Sequence, residues 1–131
     1  MSKKYGYTYK EIKESKIKVD KKIICKFNSD NPEGVSQVMA KCMLESSRIF
    51  KTLQPDLLIV LGDRYEILAS TISAHLSRIP VAHIHGGEVT QGVIDDAFRH
   101  SITKMSHIHF VANAIYKKRI IQLGESPKNV Y

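Results

Sequence analysis

The sequence predicts an α/β fold with a mostly parallel sheet. Short aliphatic runs alternate with longer segments in which apolar residues recur at helical spacing. The connections between these segments are short, and glycine or proline marks several of them. Since alternating strands and helices with short connections form parallel sheets with right-handed crossovers, these observations indicate a single α/β domain.

The first elements come from the N-terminal third of the chain. KKIICKF (21–27) predicts a short strand because of its apolar run. NSDNPEG then predicts a helix start, since Asp30 or Asn31 suits the cap and Pro32 suits the first turn. Apolar residues at helical spacing extend this helix over 32–53.

DLLIVLG (56–62) is a continuous aliphatic run between Pro55 and Gly62, which predicts a strand buried on both faces of a parallel sheet. The alternation then continues to the last residues. It comprises a helix over 64–77, the strand VAHIH (81–85), a helix from about Asp95, the strand HIHFVA (107–112), a helix capped by Asn113 and stopped at Leu123-Gly124, and the opening of a strand at KNVY.

The positive charge of the chain is concentrated near its start. The formal net charge is +7, and residues 1–26 hold nine lysines and three acidic residues, whereas the rest is nearly balanced. The excess therefore indicates a basic, partly ordered leader over 1–20 rather than a nucleic-acid-binding face. We expect no nucleic-acid partner.

The chain has no run of eighteen apolar residues and its start lacks the apolar segment of a secretory signal, so we expect a cytoplasmic protein without a membrane span. Cys25 and Cys42 stand at no metal-like or redox-like spacing, which fits a reducing compartment. Cys42 follows the helical apolar pattern and is expected in the core.

Asp63 directly follows a predicted strand, in LGDRYE. Two interpretations stand. Asp63 caps the next helix, because Asp is a favoured cap residue, or it forms with Arg64 a pair positioned for proton transfer at the edge where α/β sheets bind ligands.

The next predicted strand ends in HIHGGE. His83 and His85 are expected on one side, because strand side chains alternate. Gly86 and Gly87 permit a sharp turn and a close approach of the backbone to a ligand. Glu88 adds a carboxylate at the same edge.

The helix that follows brings more charged residues back to this edge. Asp95 and Asp96 lie at its start, and Arg99 and His100 one turn later. The helix N-terminus itself attracts anions such as phosphate. This segment therefore predicts a site for a charged ligand.

Zinc is the main alternative for the two HxH pairs, since three histidines make a reasonable catalytic zinc site. The pairs lie on separate strands, and His107 and His109 stand near the start of theirs, at the wrong edge. We interpret His107 and His109 as structural residues and expect neither a metal nor another cofactor.

Three motifs occur in order: GDR (62–64), HIHGGE (83–88) and IDDAFRHSITK (94–104). Together they resemble the hydrolysing UDP-N-acetylglucosamine 2-epimerases, especially the bacterial branch that makes sialic-acid-like and legionaminic-type sugars. The resemblance covers nearly the whole chain, from GYTYKEI to IIQLGESPKNVY.

This resemblance implies a Rossmann-like sheet that is part of the N-terminal half of a glycosyltransferase-B-type fold. It divides the chain into a leader (1–20) and an incomplete N-terminal domain (21–131), with the C-terminal domain absent. Two further features favour a piece of a larger enzyme: no Gly-rich turn follows a first strand, and the chain stops as a strand begins. The family also implies homodimers or higher oligomers.

The implied reaction starts from a UDP-2-acetamido sugar, either UDP-N-acetylglucosamine or UDP-N,N'-diacetylbacillosamine. UDP is eliminated, and water then adds with inversion at C2 to release a manno-configured sugar. Such chemistry needs a base for the C2 proton, a partner for the leaving diphosphate and a group that directs water. We expect the 131-residue chain alone to be inactive.

The resemblance also implies catalytic residues. Asp63 and Asp95 match acidic positions of the family and are acid–base candidates. Many members have glutamate where this chain has His85, reading HIEGGE, so that a proton-transfer or orienting task here falls to His85 or to Glu88.

Substrate binding is implied for Arg64, Arg99 and His100, which would orient carboxylates and the sugar, beside Gly86 and Gly87.

The alternative from another functional class is a non-catalytic Rossmann-like module that binds or dimerises. Binding of a UDP-sugar distinguishes the two.

Overall fold

The computed structural model describes residues 9–25, 31–90 and 94–131. From residue 32 onward, helices and strands alternate as the sequence predicts. The short helix at Tyr9–Glu14, within the leader, was not predicted. In chain order the elements are α1 (Tyr9–Glu14), α2 (Pro32–Leu53), β1 (Leu58–Leu61), α3 (Tyr65–Leu76), β2 (Val81–Ile84), α4 (Asp95–Met105), β3 (Ile108–Phe110), α5 (Ala114–Gln122) and a 3-10 turn (Pro127–Asn129).

The three strands form one parallel sheet in the order β1-β2-β3. Val60 pairs with His83, and His83 pairs with His109, so these three side chains share one face of the sheet. Val130 adds a single parallel bridge to His109. The strand opening predicted at KNVY is therefore present as one bridge, and the predicted parallel sheet is confirmed.

The two best-defined helix starts follow from their caps. The side chain of Asn31 accepts a hydrogen bond from the Gly34 backbone at 2.8 Å, and Pro32 occupies the first turn of α2. Asn113 caps α5 in the same way. Asp30, the other predicted cap, lies outside the described residues. None of the helices within those residues is long and apolar enough to cross a membrane.

The strand predicted at 21–27 is wrong over 21–25, which have no regular secondary structure; 26–27 lie outside the described residues. The apolar side chains of Ile23 and Cys25 instead pack against Val38, Cys42 and Ala69 of helices α2 and α3. Their pattern thus reflects packing onto helices, not pairing with a strand. The part of the predicted leader before Tyr9 also lies outside the description.

The main core lies between the sheet and helices α2, α3 and α4. It contains Phe50 of α2, Leu68 of α3 and Ile102 of α4 beside Val60 and Val81 of the strands. Consecutive right-handed crossovers along the order β1-β2-β3 place their helices on one face of the sheet. No helix within the described residues therefore lies against the opposite face of β1.

β1 is consequently buried on one face, and the prediction that both faces are buried is wrong. The side chains that point away from the helices, Ile59 and Leu61, are 61% and 59% exposed. Phe110 of β3 shares this face, as the strand register shows, and is 44% exposed. It lies against Tyr131, with ring centroids 5.8 Å apart.

Candidate active site

The carboxyl ends of β1 and β2 lie side by side. The Gly62 backbone N–H donates to the Ile84 carbonyl oxygen at 3.1 Å, one step beyond the strand register. Gly62 has a φ of +80°, which turns the chain sharply after β1. Asp63 and the residues after Ile84 therefore emerge at one edge of the sheet, where open α/β sheets bind ligands.

Asp63 accepts a hydrogen bond from the Arg99 guanidinium through Oδ2 and is not a helix cap. The cap position of α3 is Arg64, whose side chain makes no capping hydrogen bond. The Arg99 side chain is only 7% exposed, and its Nη2 also donates to Thr90 Oγ1 at 3.1 Å. The capping interpretation of Asp63 is therefore wrong, and the residue is half of a largely buried ion pair.

Arg99 has binding capacity beyond these contacts. Its Nε and Nη1 are buried and have no hydrogen-bond partner among the described residues. A guanidinium presents five N–H donors in a planar fork that suits carboxylates and phosphates. Unused donors beside an ion pair at the sheet edge favour an anionic ligand there.

Thr90 is a site residue that the sequence interpretation missed. Its backbone N–H donates to Asp96 Oδ1 at 3.1 Å, and Asp96 Oδ2 lies 3.4 Å from His100 Nε2. Thr90 thereby links Arg99 to the first turn of α4, which begins at the half-buried Asp95. No local pattern marks a single threonine in a loop, so only its place inside the motif-rich segment pointed to it.

His83 and His85 do not share a side, contrary to prediction. His83 is fully buried, whereas the chain turns at His85, which has a φ of +65° and lies outside β2. His83 Nε2 donates to the Gly62 carbonyl at 2.8 Å, and its Nδ1 accepts from Thr103 Oγ1 at 3.2 Å, since a carbonyl only accepts. His83 thus holds the turn before Asp63.

His85 forms a pair with Glu88 at the surface. His85 Nδ1 lies 2.6 Å from Glu88 Oε1, and the two side chains are 49% and 29% exposed. A carboxylate at Nδ1 favours the tautomer in which Nδ1 carries the proton and Nε2 keeps its lone pair. The pair therefore presents a proton acceptor to solvent at the end of β2.

The two glycines of HIHGGE pack against helix α5 and the residues behind the site. A side chain on Gly86 would meet His83 Nδ1, Thr103 Oγ1 and Ile120, all at 3.1 Å. One on Gly87 would meet the Tyr116 carbonyl oxygen at 2.5 Å. Packing thus gives a reason for both glycines, and their role in ligand binding stays a prediction.

Arg64 pairs with Glu66 rather than with Asp63. Its guanidinium forms two 3.0 Å hydrogen bonds to Glu66, and its side chain is 58% exposed. The structure thus brings Asp63 to Arg99 and His85 to Glu88 as two separate pairs. The convergence of these residues with Asp95 around one ligand stays a prediction.

His109 of β3 and His107, which directly precedes that strand, differ from each other. His107 Nδ1 accepts a hydrogen bond from the Val81 backbone at 3.3 Å, as a structural residue would. His109 is fully buried, lies 3.6 Å from Glu125 and has no hydrogen bond to a described residue. Burial lowers the pKa of His109, which favours its neutral form.

The model of the UDP-N-acetylglucosamine 2-epimerase family matches residues 1–131. The chain belongs to this family. It is 46% identical over 131 residues to the GDP/UDP-N,N'-diacetylbacillosamine 2-epimerase (hydrolyzing) of Campylobacter jejuni, covering 100% of this chain and 34% of that protein. It is 39% identical over 127 residues to the polysialic acid biosynthesis protein P7 of Escherichia coli, covering 97% and 32%.

Solved structures of this family share the fold. The UDP-N-acetylglucosamine 2-epimerase of Neisseria meningitidis bound to UDP-GlcNAc aligns with a TM-score of 0.80 at 21% identity, over 91% of this chain and 32% of that one. A Listeria monocytogenes structure of the family aligns with a TM-score of 0.85 at 16% identity, over 95% and 33%. The predicted fold class, Rossmann-like and of glycosyltransferase-B type, is confirmed. The chain spans about a third of these relatives.

The buried arginine of this family member should matter for stability. Replacing Arg99 by Met leaves the Asp63 carboxylate, 20% exposed, without its partner. We expect the unfolding free energy in urea to fall by roughly 2–3 kcal/mol, less than for a fully buried pair. Arg64→Met, at an exposed pair, is the control and should change it by less than about 1 kcal/mol. Equal effects of the two substitutions would contradict the assignment of Arg99 and Asp63 as a largely buried ion pair.

The buried histidine of HIHGGE should make stability depend on pH. Burial lowers the pKa of His83 from 6.5 to about 4. As pH falls from 6.5 toward 4, His83 binds a proton in the unfolded chain but not in the folded chain. The free energy of unfolding therefore decreases. The contribution of His83 should fall by about 3 kcal/mol over this window.

Urea unfolding of wild type and His83→Gln at several pH values measures this contribution. The stability difference between the two should be largest above pH 6.5 and shrink toward pH 4. His75→Gln, at an exposed position near the end of α3, is the matched control. A difference that stays constant with pH would show that His83 takes up its proton in the folded chain.

Proposed function

We propose that this chain is part of a hydrolysing nucleotide-sugar 2-epimerase. The substrate is a UDP-2-acetamido sugar, UDP-N-acetylglucosamine or UDP-N,N'-diacetylbacillosamine, and the products are UDP and the free manno-configured sugar. The observation that carries the proposal is the Asp63–Arg99 pair, with unused Arg99 donors, at the edge where the sheet binds ligands. The Campylobacter jejuni relative, named as hydrolyzing, supports the same reaction class.

The proposed reaction removes the C2 proton, expels UDP to leave a 2-acetamidoglucal, and adds water across the double bond. Asp63 and Asp95 are the acid–base candidates at this edge. The free donors of Arg99, with His100 and Arg64, orient the anionic substrate, and Gly86 and Gly87 bring the backbone close to it.

The His85–Glu88 pair supplies a further proton-transfer group. With Glu88 at Nδ1, the Nε2 of His85 carries the lone pair and is the atom that accepts a proton from the substrate. This arrangement gives His85 a proton-transfer task at a position where many members of the family have glutamate. His85 then transfers the proton, and Glu88 orients it.

We further propose that residues 21–131 belong to the N-terminal domain of a two-domain enzyme, preceded by a basic leader over 1–20. The enzyme would act in the cytoplasm on precursors of sialic- or legionaminic-type sugars, as a homodimer or larger oligomer. Because the chain spans about a third of its relatives, it is proposed to be inactive alone.

A chimera tests the proposed function. This chain replaces the 131 matching residues of the Campylobacter jejuni relative, and UDP release is measured from both candidate UDP-sugars. Release of UDP together with a manno-configured sugar is the expected result. A folded chimera, verified by circular dichroism and a cooperative thermal transition, that releases no UDP from either substrate would refute the proposal. Turnover by the isolated chain would refute the proposal that the chain is inactive alone.

The exposed apolar face of the sheet favours the second candidate function, a non-catalytic binding or dimerisation module. Ile59, Leu61 and Phe110 expose apolar side chains on that face. Sedimentation of the isolated chain, together with UDP-sugar titration of the chimera, distinguishes the candidates. A chain that dimerises and yet, in the chimera, never binds UDP-sugar supports the module.

A further inference from the structure

The two cysteines of the chain lie against each other although 17 positions separate them. The Sγ atoms of Cys25 and Cys42 are 3.2 Å apart, and both thiols are free. The sequence spacing had indicated no redox relationship between them. The fold creates one by laying the segment before residue 26 onto helix α2.

The surroundings of the pair hold the two sulfurs in place without fixing both rigidly. Cys42 is buried in the middle of α2, in a cluster with Val38 and Ala69. Cys25 is half-buried and belongs to a segment without helix or strand hydrogen bonding. A disulfide requires an approach of about 1 Å more, since its S–S bond is about 2.05 Å long. An irregular segment can make that movement where two helices could not.

The two thiols differ in their access to an oxidant. Burial, and then the contact with Cys25, raises the pKa of Cys42 to about 12, so Cys42 stays protonated at neutral pH. Cys25 is the more exposed residue, so we expect a dissolved oxidant to reach its sulfur first. Cys42 lies behind it as a resolving thiol.

We propose that Cys25 and Cys42 form an intramolecular, reversible disulfide when the protein meets a peroxide. The Cys25 sulfur attacks one peroxide oxygen, the O–O bond breaks, and a sulfenic acid and one water form. Cys42 then attacks the sulfenic sulfur, and its proton leaves with the hydroxyl group as a second water. The two thiols together lose two electrons, and hydrogen peroxide is reduced to two waters.

The disulfide fastens the irregular segment that contains Cys25 to α2 and closes a ring through residues 26–41. It forms beside Tyr65, the first residue of α3, which packs against the same cluster two positions after Asp63. Closing a ring of this size restricts the unfolded chain. Oxidation is therefore expected to raise the thermal midpoint by roughly 5–15 °C.

Peroxide treatment of the folded chain, followed by alkylation and mass spectrometry, tests the proposal. The expected product has lost two hydrogen atoms, resists alkylation at both cysteines, and gives a linked peptide pair that dithiothreitol separates. Its thermal midpoint should exceed that of the reduced chain. Both measurements use the wild-type chain, so they do not depend on how a variant folds, nor on the proposed enzymatic activity.

Single substitutions assign the order of the steps. In Cys42→Ser, Cys25 should accumulate as a sulfenic acid that a dimedone probe traps, whereas in Cys25→Ser the remaining thiol should stay reduced. Oxidation of Cys25 beyond sulfenic acid in the wild type, crosslinks only between chains, or two thiols that remain alkylatable would each overturn the proposal.

Discussion

Replacing Asp63 by Asn in the active chimera should lower kcat by roughly 10²–10⁴-fold, the usual contribution of a group that transfers a proton. An amide keeps the shape of the carboxylate and still accepts a hydrogen bond from Arg99, but it cannot take up or release the proton. UDP release under saturating substrate measures the effect.

Asp56→Asn is the matched control, because Asp56 is exposed and precedes the opposite end of β1. It should leave kcat unchanged. Thermal melting of both variants separates a catalytic loss from a folding defect. A folded Asp63→Asn chimera with wild-type kcat would remove Asp63 from the reaction and leave the ion pair with a structural role alone.

Gly87→Ala should lower the free energy of unfolding by roughly 3–5 kcal/mol. Gly87 has a φ of +76°, a region that L-residues disfavour, and a methyl group there would lie 2.5 Å from the Tyr116 backbone oxygen. This steric clash can be relieved only if α5 shifts relative to the end of β2. Urea unfolding of the isolated chain measures the loss.

Gly62→Ala separates the two causes. Gly62 has a similar φ of +80°, but a methyl group would find nothing within 4 Å among the described residues. Gly62→Ala should therefore lower the free energy of unfolding only through the unfavourable positive φ of the alanine, by roughly 1–2 kcal/mol. Equal losses for Gly62→Ala and Gly87→Ala would mean that α5 does not press on the glycine turn.

Local patterns were sufficient for the helices and strands between Pro32 and Gln122, but not for α1. Helix α2 was predicted with its observed bounds because Asn31, Pro32 and a sustained helical period all agree. The strands were predicted near their observed positions because aliphatic runs are bounded by Pro55, Gly62 and Pro80. Each of these signals acts over a few residues, which is why one sequence reveals them.

The errors have a common physical origin in tertiary structure. The run at 21–25 has a strand's composition, but its apolar side chains pack onto helices. The alternation rule placed His85 beside His83 only on the assumption that the strand continues, whereas the chain turns at His85. No pattern within β1 reveals which of its faces the crossovers leave uncovered.

The sequence motifs named the candidate site residues other than Thr90, and their catalytic and binding roles stay predictions. The motifs did not reveal which of these residues pair with each other. The motif resemblance named Asp63, Arg99, His85 and Glu88 together. That Arg99 pairs with Asp63, 36 positions away, depends on how α4 packs beside the end of β1. Pairing between Cys25 and Cys42 likewise exists only in the folded chain.

The C2 proton offers the most direct measurement of the central claim, that groups at this sheet edge exchange a proton with the sugar. The chimera is run in deuterium oxide, and the released sugar is examined by NMR and mass spectrometry. Elimination followed by hydration predicts one deuterium at C2 in every manno-configured product molecule. Release of UDP with a sugar that keeps its original hydrogen at C2 would contradict the account.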